Sequence, residues 1–275
     1  MIDELFHIGP LSISPFGVML VAAFVAAYAQ LRWGLRQLKA GDAEDASAVV
    51  LAAGIGGVAG AKIYYAILYR DWSLLFERFG LVWYGGFVLG ALAVIWVARR
   101  RNLAGWSVVD AAVPGLALGY GIGRIGCFLV GDDFGMPTRL PWGVAFPRGL
   151  PGPTTAGLMR QEYGASVPWE IPDEQLIAVH PTQLYETFAA VLIWALGVRM
   201  LKRGASPGST TLIVLSLLAL ERFLVEFLRA KDDRFLGVFT VAQFISLAVV
   251  VLLMTLFLLS RRGGLGTGGM RASAD

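Results

Sequence analysis

One cysteine and two histidines in 275 residues set the first limits on this chain. Cys127 has no partner for an intramolecular disulfide, and a single thiol cannot build a cysteine-ligated metal cluster. With His7 and His180 as the only imidazoles, a metal site would have to be made of carboxylates; neither a metal nor a cofactor is expected. Charge is scarce too. Charged residues make up 16% of the chain against 56% hydrophobic, and the mean hydropathy is +0.65, which excludes an ordinary water-soluble domain. A net charge of +3 is small and implies no nucleic-acid partner.

What the chain has instead is long apolar runs. Seven of them, at residues 16–31, 47–69, 81–98, 106–122, 182–198, 210–228 and 238–259, approach the roughly twenty residues a helix needs to cross about 30 Å of hydrocarbon. The expected fold is an all-α integral membrane protein with about seven transmembrane helices. Asp3 and Glu4 precede the first run and no small-residue cleavage site follows it, so it reads as a retained span and not a signal peptide. Arg32, Arg36 and Lys39 follow the first span, Arg99 to Arg101 the third, Arg199, Lys202 and Arg203 the fifth, and Arg261 and Arg262 the seventh. Basic ends on every odd span place the amino terminus outside and the carboxyl terminus in the cytoplasm. "RAKDDR", residues 229–234, breaks that pattern on the outer side: either the topology differs there or its cations have a task.

One transmembrane domain is expected over residues 1–262, with a Pro- and Gly-rich outer cap at 131–179 and a disordered cytoplasmic tail at 263–275. The length of the cap points to function, and its aromatic residues, Trp142 and Phe146 among them, favour an ordered segment. Gly56 and Gly60 in span two have the four-residue spacing that lets helices approach closely. Lys62, in the outer half of that span, must snorkel, pair or face water.

Ionisable residues gather near the outer ends of three spans. Arg124 ends span four, Asp132 and Asp133 open the cap, His180 to Glu186 opens span five, and Glu221, Arg222, Glu226 and Arg229 close span six. Arg222, Glu226 and Arg229 share one helical face as an Arg, Glu, Arg ladder, which reads either as a fastening between helices or as a ligand site. Guanidinium forks match phosphate oxygens, so arginines from different helices could clamp a phosphodiester. In "HPTQLYE", Pro181 suits the first helical position, with His180 just outside it. Gln183 and Glu186 face one side and can meet neighbouring arginines. His180 reads as a structural imidazole or an acid/base group. Cys127 reads as a small buried side chain, or as a thiol activated by Arg124.

Three segments in order, "GRIGCFLVGDDFG" at 123–135, "HPTQLYE" at 180–186 and "RFLVEFLR" at 222–229, resemble the prolipoprotein diacylglyceryl transferase family. The resemblance extends over nearly the whole chain. It implies a multi-pass enzyme of the bacterial cytoplasmic (inner) membrane with its site toward the outer face. Such an enzyme moves a diacylglyceryl group from phosphatidylglycerol, a membrane lipid, to the lipobox cysteine of a prolipoprotein signal peptide, forming a thioether and releasing glycerol phosphate. By the resemblance, Arg124 binds the phospholipid head, Arg222 is a second essential arginine oriented by Glu226, Asp132 stands where the family usually has Glu, and Gly135 is the final glycine of the signature. Arg229 is expected to bind the phospholipid together with Arg124, Arg222 and Gly135, while Gln183, Glu186, Cys127 and Lys62 support the site, Lys62 aligning with an arginine.

The chain departs from the family at other positions. Cys127 stands where an asparagine is usual, Phe16 where a tyrosine is frequent, and Tyr84 in "WYGGFVLG" where the family has histidine. The candidate bases are therefore Tyr84 assisted by Arg124, then His180, then Asp132. The departures also keep open a non-catalytic relative that binds phospholipid or lipoprotein.

Overall fold

In hydrocarbon a backbone has no water to bond, so each apolar run must close its hydrogen bonds within a helix. The computed structural model of the protein describes residues 5–8, 11–75, 82–103, 105–231, 234–235 and 239–262. The proposed tail at 263–275 lies outside them. The helices are α1 (Pro15–Gln37), α2 (Ala43–Tyr69), α3 (Trp83–Arg100), α4 (Gly105–Val130), α5 (Ala156–Gln161), α6 (Thr182–Lys202), α7 (Ser209–Val225) and α8 (Val241–Arg262). All seven predicted runs fall on long helices, and α5 belongs to the cap. Four helices, α1, α2, α4 and α6, are long and apolar enough to cross a membrane.

Local chemistry explains the helix starts. Ser14 Oγ accepts a hydrogen bond from Gly17 N at 3.1 Å, and Pro15 follows it in the first turn of α1. Asp42 and Asp45 form a reciprocal capping box on α2. Arg101, just beyond α3, pairs with Glu44 and Asp45 at 2.9 and 3.0 Å and latches the end of α3 to the start of α2.

Packing inverts the pattern of a soluble protein. Ile55, Val21 and Phe188 lie outward and exposed, while Gln30, Asp110, Gln183, Glu186 and Glu226 are buried. α1 packs along α4, α2 along α3, α4 along α6, and α7 along α8. The α2–α3 contact runs through glycine, as the spacing of Gly56 and Gly60 predicts. A Cβ on Gly56 would lie 2.8 Å from Ala93 Cβ, and one on Gly60 would meet the backbone of Gly85. Trp194 Nε1 donates to Gln30 Oε1 at 2.9 Å, joining α6 to α1.

Above the helices, the cap is ordered by a core of its own, with Phe134, Phe146, Met159 and Val179 buried together. Isolated backbone bridges join Pro137 and Val144 to Val179, and Thr155 to Leu176. Arg160 binds Asp173, donates to the carbonyls of Val167 and Pro168, and stacks on Trp169.

The sequence reading missed four short strands: β1 (Phe6–Ile8) pairs with β2 (Leu11–Ile13), and β3 (Arg234–Phe235) with β4 (Phe239–Thr240), both antiparallel. Three boundaries also differ. α4 continues to Val130, so Arg124 sits inside the helix and not at its end. Pro181 is the N-cap of α6 and not its first residue. α7 stops at Val225, so Arg222, Glu226 and Arg229 do not share one continuous helix face. The cap captures the departing backbone there: Met136 N donates to Leu228 O at 2.7 Å and Ala230 N to Phe134 O at 3.2 Å.

Candidate active site

The centre of the charged cluster is Glu186, whose carboxylate is fully buried on the second turn of α6. Arg124 Nε from α4 lies 3.2 Å from its Oε2, and Arg222 Nη1 from α7 lies 3.3 Å from its Oε1. Arg229 Nη1, in the turn after α7, approaches the same Oε1 at 3.6 Å. Three guanidinium groups from separate segments thus meet around one carboxylate. Repulsion among them is offset by Asp133, which binds Arg229 and accepts from Arg124 Nη1 at 2.7 Å, and by Glu226 at 2.8 Å from Arg222 Nη2. Thr240 Oγ1 donates to the other Glu226 oxygen at 3.0 Å.

Exposure divides the arginines. The Arg124 and Arg222 side chains are 16% and 23% accessible, whereas that of Arg229 is 2%. Two cations are therefore open to a ligand, and the third is enclosed by carboxylates.

The turn from α4 into the cap is held from α6. Gln183 Nε2 donates to Asp132 O at 2.6 Å and Thr182 Oγ1 to Asp133 O at 2.8 Å. These bonds support Asp133 at φ 62°, a left-handed conformation that turns its carboxylate toward Arg124 and Arg229. Burial would raise its pKa, but Arg229 and Arg124 outweigh that and hold it below the ordinary carboxylate range. Asp132 behaves oppositely: burial, reinforced by Asp133, pushes it up. The signature reading singled out Asp132; the carboxylate that joins the arginines is Asp133.

Gly135 forms a backbone bridge with Arg229 and donates to His180 O at 2.9 Å. A Cβ there would lie 2.7 Å from His180 Cβ and 2.8 Å from Thr182 Cγ2, so only glycine fits. His180 faces a different partner set. Its Nδ1 is 3.2 Å from Tyr185 Oη, which accepts from Trp142 Nε1 at 2.8 Å. Because the indole only donates, the Tyr185 hydroxyl keeps a proton that it can donate to Nδ1. Burial pulls the His180 pKa down. Cys127 is half-buried, with Sγ 3.9 Å from Arg124 Nη1. Its sulfur and oxygens of Asp132 and Asp133 lie within 4.8 Å of one another, but Asp133 already gives one oxygen to each of two arginines. Lys62 is half-buried on α2. Tyr84 lies in the first turn of α3, and its side chain is outside the described residues.

Two further residues, Tyr120 and Glu221, join the cluster without having been counted as site residues from sequence. Tyr120 Oη lies 3.0 Å from Glu186 Oε1 and 3.5 Å from Glu221 Oε2, and the Arg124 guanidinium lies 5.1 Å from its ring centroid. The available signal was spacing: Tyr120 precedes Arg124 by one helical turn on α4.

Cavities flank the cluster on both sides. An apolar groove of about 520 Å³ runs between α6 and α7, walled by Leu192, Leu196, Leu217 and Leu224, with Tyr185 and Glu221 as its polar points. A second cavity of about 350 Å³ lies under the cap, lined by Asp132, Asp133, Tyr163 and Lys231.

Residues 3–259 match the family model described as prolipoprotein diacylglyceryl transferase. Similar proteins include those named phosphatidylglycerol--prolipoprotein diacylglyceryl transferase in Xylella fastidiosa (strain M12), 30% identical over 94% of this chain and 92% of the relative. The protein of that name in Stenotrophomonas maltophilia (strain R551-3) is 31% identical over 93% and 90%. That of Solidesulfovibrio magneticus (strain ATCC 700980 / DSM 13731 / RS-1) is 32% identical over 93% and 92%.

Proposed function

Because this chain belongs to the prolipoprotein diacylglyceryl transferase family, we propose that it transfers the diacylglyceryl group of phosphatidylglycerol to a prolipoprotein lipobox cysteine, forming a thioether and releasing glycerol phosphate. The observation that carries the reading is the meeting of Arg124, Arg222 and Arg229 around Glu186, with two of the three still accessible. A thiolate must displace a phosphate ester at carbon, so the site needs cations for the departing phosphate and an acceptor for the thiol proton. Arg124 and Arg222 supply the cations. Arg229 and Asp133 hold them in register from behind, and Glu226 orients Arg222.

The two cavities suit a ligand with two natures: the apolar groove offers room for acyl chains, and the polar cavity under the cap for a headgroup or peptide. Among the candidate bases, Tyr84 stands in the first turn of α3, His180 faces Tyr185, and Asp132 is the cap aspartate whose pKa burial raises.

In this reading α3, α7 and α8 cross the bilayer with the other four helices, giving seven spans of an inner membrane. Basic residues in the last turns of α1, α3 and α6 favour that end in the cytoplasm, with the amino terminus and the site outside. The test is direct. Purified protein with phosphatidylglycerol and a lipobox peptide should yield a peptide heavier by one diacylglyceryl group, bound through sulfur. Arg124→Ala should abolish this product while the protein remains folded; failure of the wild-type protein to form it would overturn the reading.

A further inference from the structure

At this end of the bundle Glu221 is a buried carboxylate whose arginine neighbours, Arg124 and Arg222, stand beyond ion-pair distance. Among the described residues no ion pair reaches it, whereas Asp133, Glu186 and Glu226 each hold at least two guanidinium groups. Its contact is Tyr120, at 3.5 Å, and that hydroxyl lies closer to Glu186, at 3.0 Å. A phenol carries one proton. If Tyr120 donates it to the nearer, arginine-bound Glu186, then its oxygen presents only lone pairs to Glu221, and the contact is attractive only with a proton on the Glu221 carboxyl. The other Glu221 oxygen, Oε1, is buried with no partner among the described residues. An uncompensated anion in such a wall is costly, while a carboxylic acid is tolerated.

The surroundings agree. Facing Glu221 are Tyr120 and Arg124 from α4, Tyr185 and Glu186 from α6, and Arg222 beside it on α7. α8, which packs along α7, carries no ionisable residue before Arg261.

Resting on the transferase reading, we propose that Glu221 holds the proton this site moves, with Tyr120 as the positioning residue that joins it to the arginine-bound Glu186. As the carbon–sulfur bond forms, the bond from the glyceryl carbon to the phosphate oxygen breaks and its electron pair leaves on that oxygen. Glu221 gives its proton to that oxygen, and the proton leaving the thiol restores Glu221. The thiol proton therefore ends, in net, on the released glycerol phosphate. The geometry favours this assignment because Glu221 stands where the apolar groove meets the arginine cluster, two hydrogen-bonded contacts from the carboxylate that Arg124 and Arg222 share.

The experiment compares wild type, Glu221→Gln, Glu221→Asp and Tyr120→Phe in phosphatidylglycerol vesicles with a lipobox peptide. Glutamine keeps the shape and can donate to Tyr120, but it cannot pass a proton. Glu221→Gln should lose about 100-fold or more in kcat, in the range typical of a lost acid/base group, with the KM for lipid little changed. Glu221→Asp should recover part of the rate, and Tyr120→Phe should fall between. Infrared spectra at neutral pH should show a carboxylic-acid carbonyl band in wild type that is missing from Glu221→Gln and shifted in Tyr120→Phe. A Glu221→Gln enzyme as fast as wild type, or the absence of that band from wild type, would overturn the proposal and leave the transferase reading standing. A wild-type protein that forms no thioether would remove the transferase reading, and this one with it.

Discussion

Arg124 and Asp133, nine residues apart and on either side of the end of α4, meet at 2.7 Å because Asp133 adopts a left-handed backbone conformation. The same carboxylate binds Arg229 with its other oxygen, so one side chain fastens α4 to the turn after α7. The accessible and the enclosed arginine are thereby held in a single arrangement.

Replacing that carboxylate should weaken both the fold and the site. Asp133→Asn removes the charge but keeps the shape, and the loss of two charge-assisted contacts should cost about 2 kcal/mol in stability. Thermal unfolding in detergent measures this, and thioether formation should fall at least about tenfold as Arg124 loses its register. The pH dependence has a defined sign. The folded-state pKa of Asp133 is depressed, so its contribution is fully present above the ordinary carboxylate range and disappears as pH falls through the lower folded value. Acid unfolding of Asp133→Asn should lack that step.

His180 should produce a separate pH effect at milder acidity. Its folded pKa lies below the ordinary value of 6.5, because burial disfavours the imidazolium. The unfolded chain then takes up the proton first, so stability falls as pH drops below 6.5 toward the folded value. His180→Asn should flatten that part of the stability profile, measured between neutral pH and about pH 5.

Gly135→Ala should be disruptive although it adds one methyl group. The new Cβ would press on the Leu228 carbonyl, His180 and Thr182 together, and at least two of these contacts are backbone or rigid β-carbon. Overpacking of this kind costs about 1–3 kcal/mol. A shift in unfolding temperature, with loss of the bridge to Arg229, should reduce activity more than the folded fraction falls.

At the opposite end of the bundle, Asp110 caps α7 from α4. Its carboxylate accepts from Gly208 N at 2.6 Å, Thr211 N at 2.8 Å and Thr211 Oγ1 at 2.6 Å, while the N-cap residue Gly208 offers no side chain. Asp110→Ala should destabilise the protein by about 2 kcal/mol, leaving buried donors unsatisfied. Because this contact is remote from the arginines, activity per folded molecule should change little, which thermal unfolding and turnover measured together would establish.

Much of this protein is legible in the order of its residues. Apolar runs near the length of a bilayer become helices because the backbone has no other way to satisfy itself in hydrocarbon, a constraint that is local to each run. Gly56 and Gly60 announce close helix contact for the same reason: the missing side chain is visible in the chain itself. Arg124, Glu186, Arg222 and Glu226 also declare themselves, since charges within apolar runs must turn inward and find partners.

Which partners they find is a tertiary matter. Asp132 and Asp133 are adjacent and chemically identical, yet a left-handed turn pinned by Thr182 and Gln183 of α6 sends only Asp133 to the arginines. The end of α7 at Val225 is likewise imposed from outside, by cap residues Phe134 and Met136 taking its backbone. Tyr120 reads as one more apolar residue of α4 until α6 and α7 bring Glu186 and Glu221 to its hydroxyl. Hydrophobic length acts within one segment and can be read along it. Electrostatic pairing depends on distances between segments up to about a hundred residues apart, as from Tyr120 to Glu221, and those distances exist only once the helices have packed.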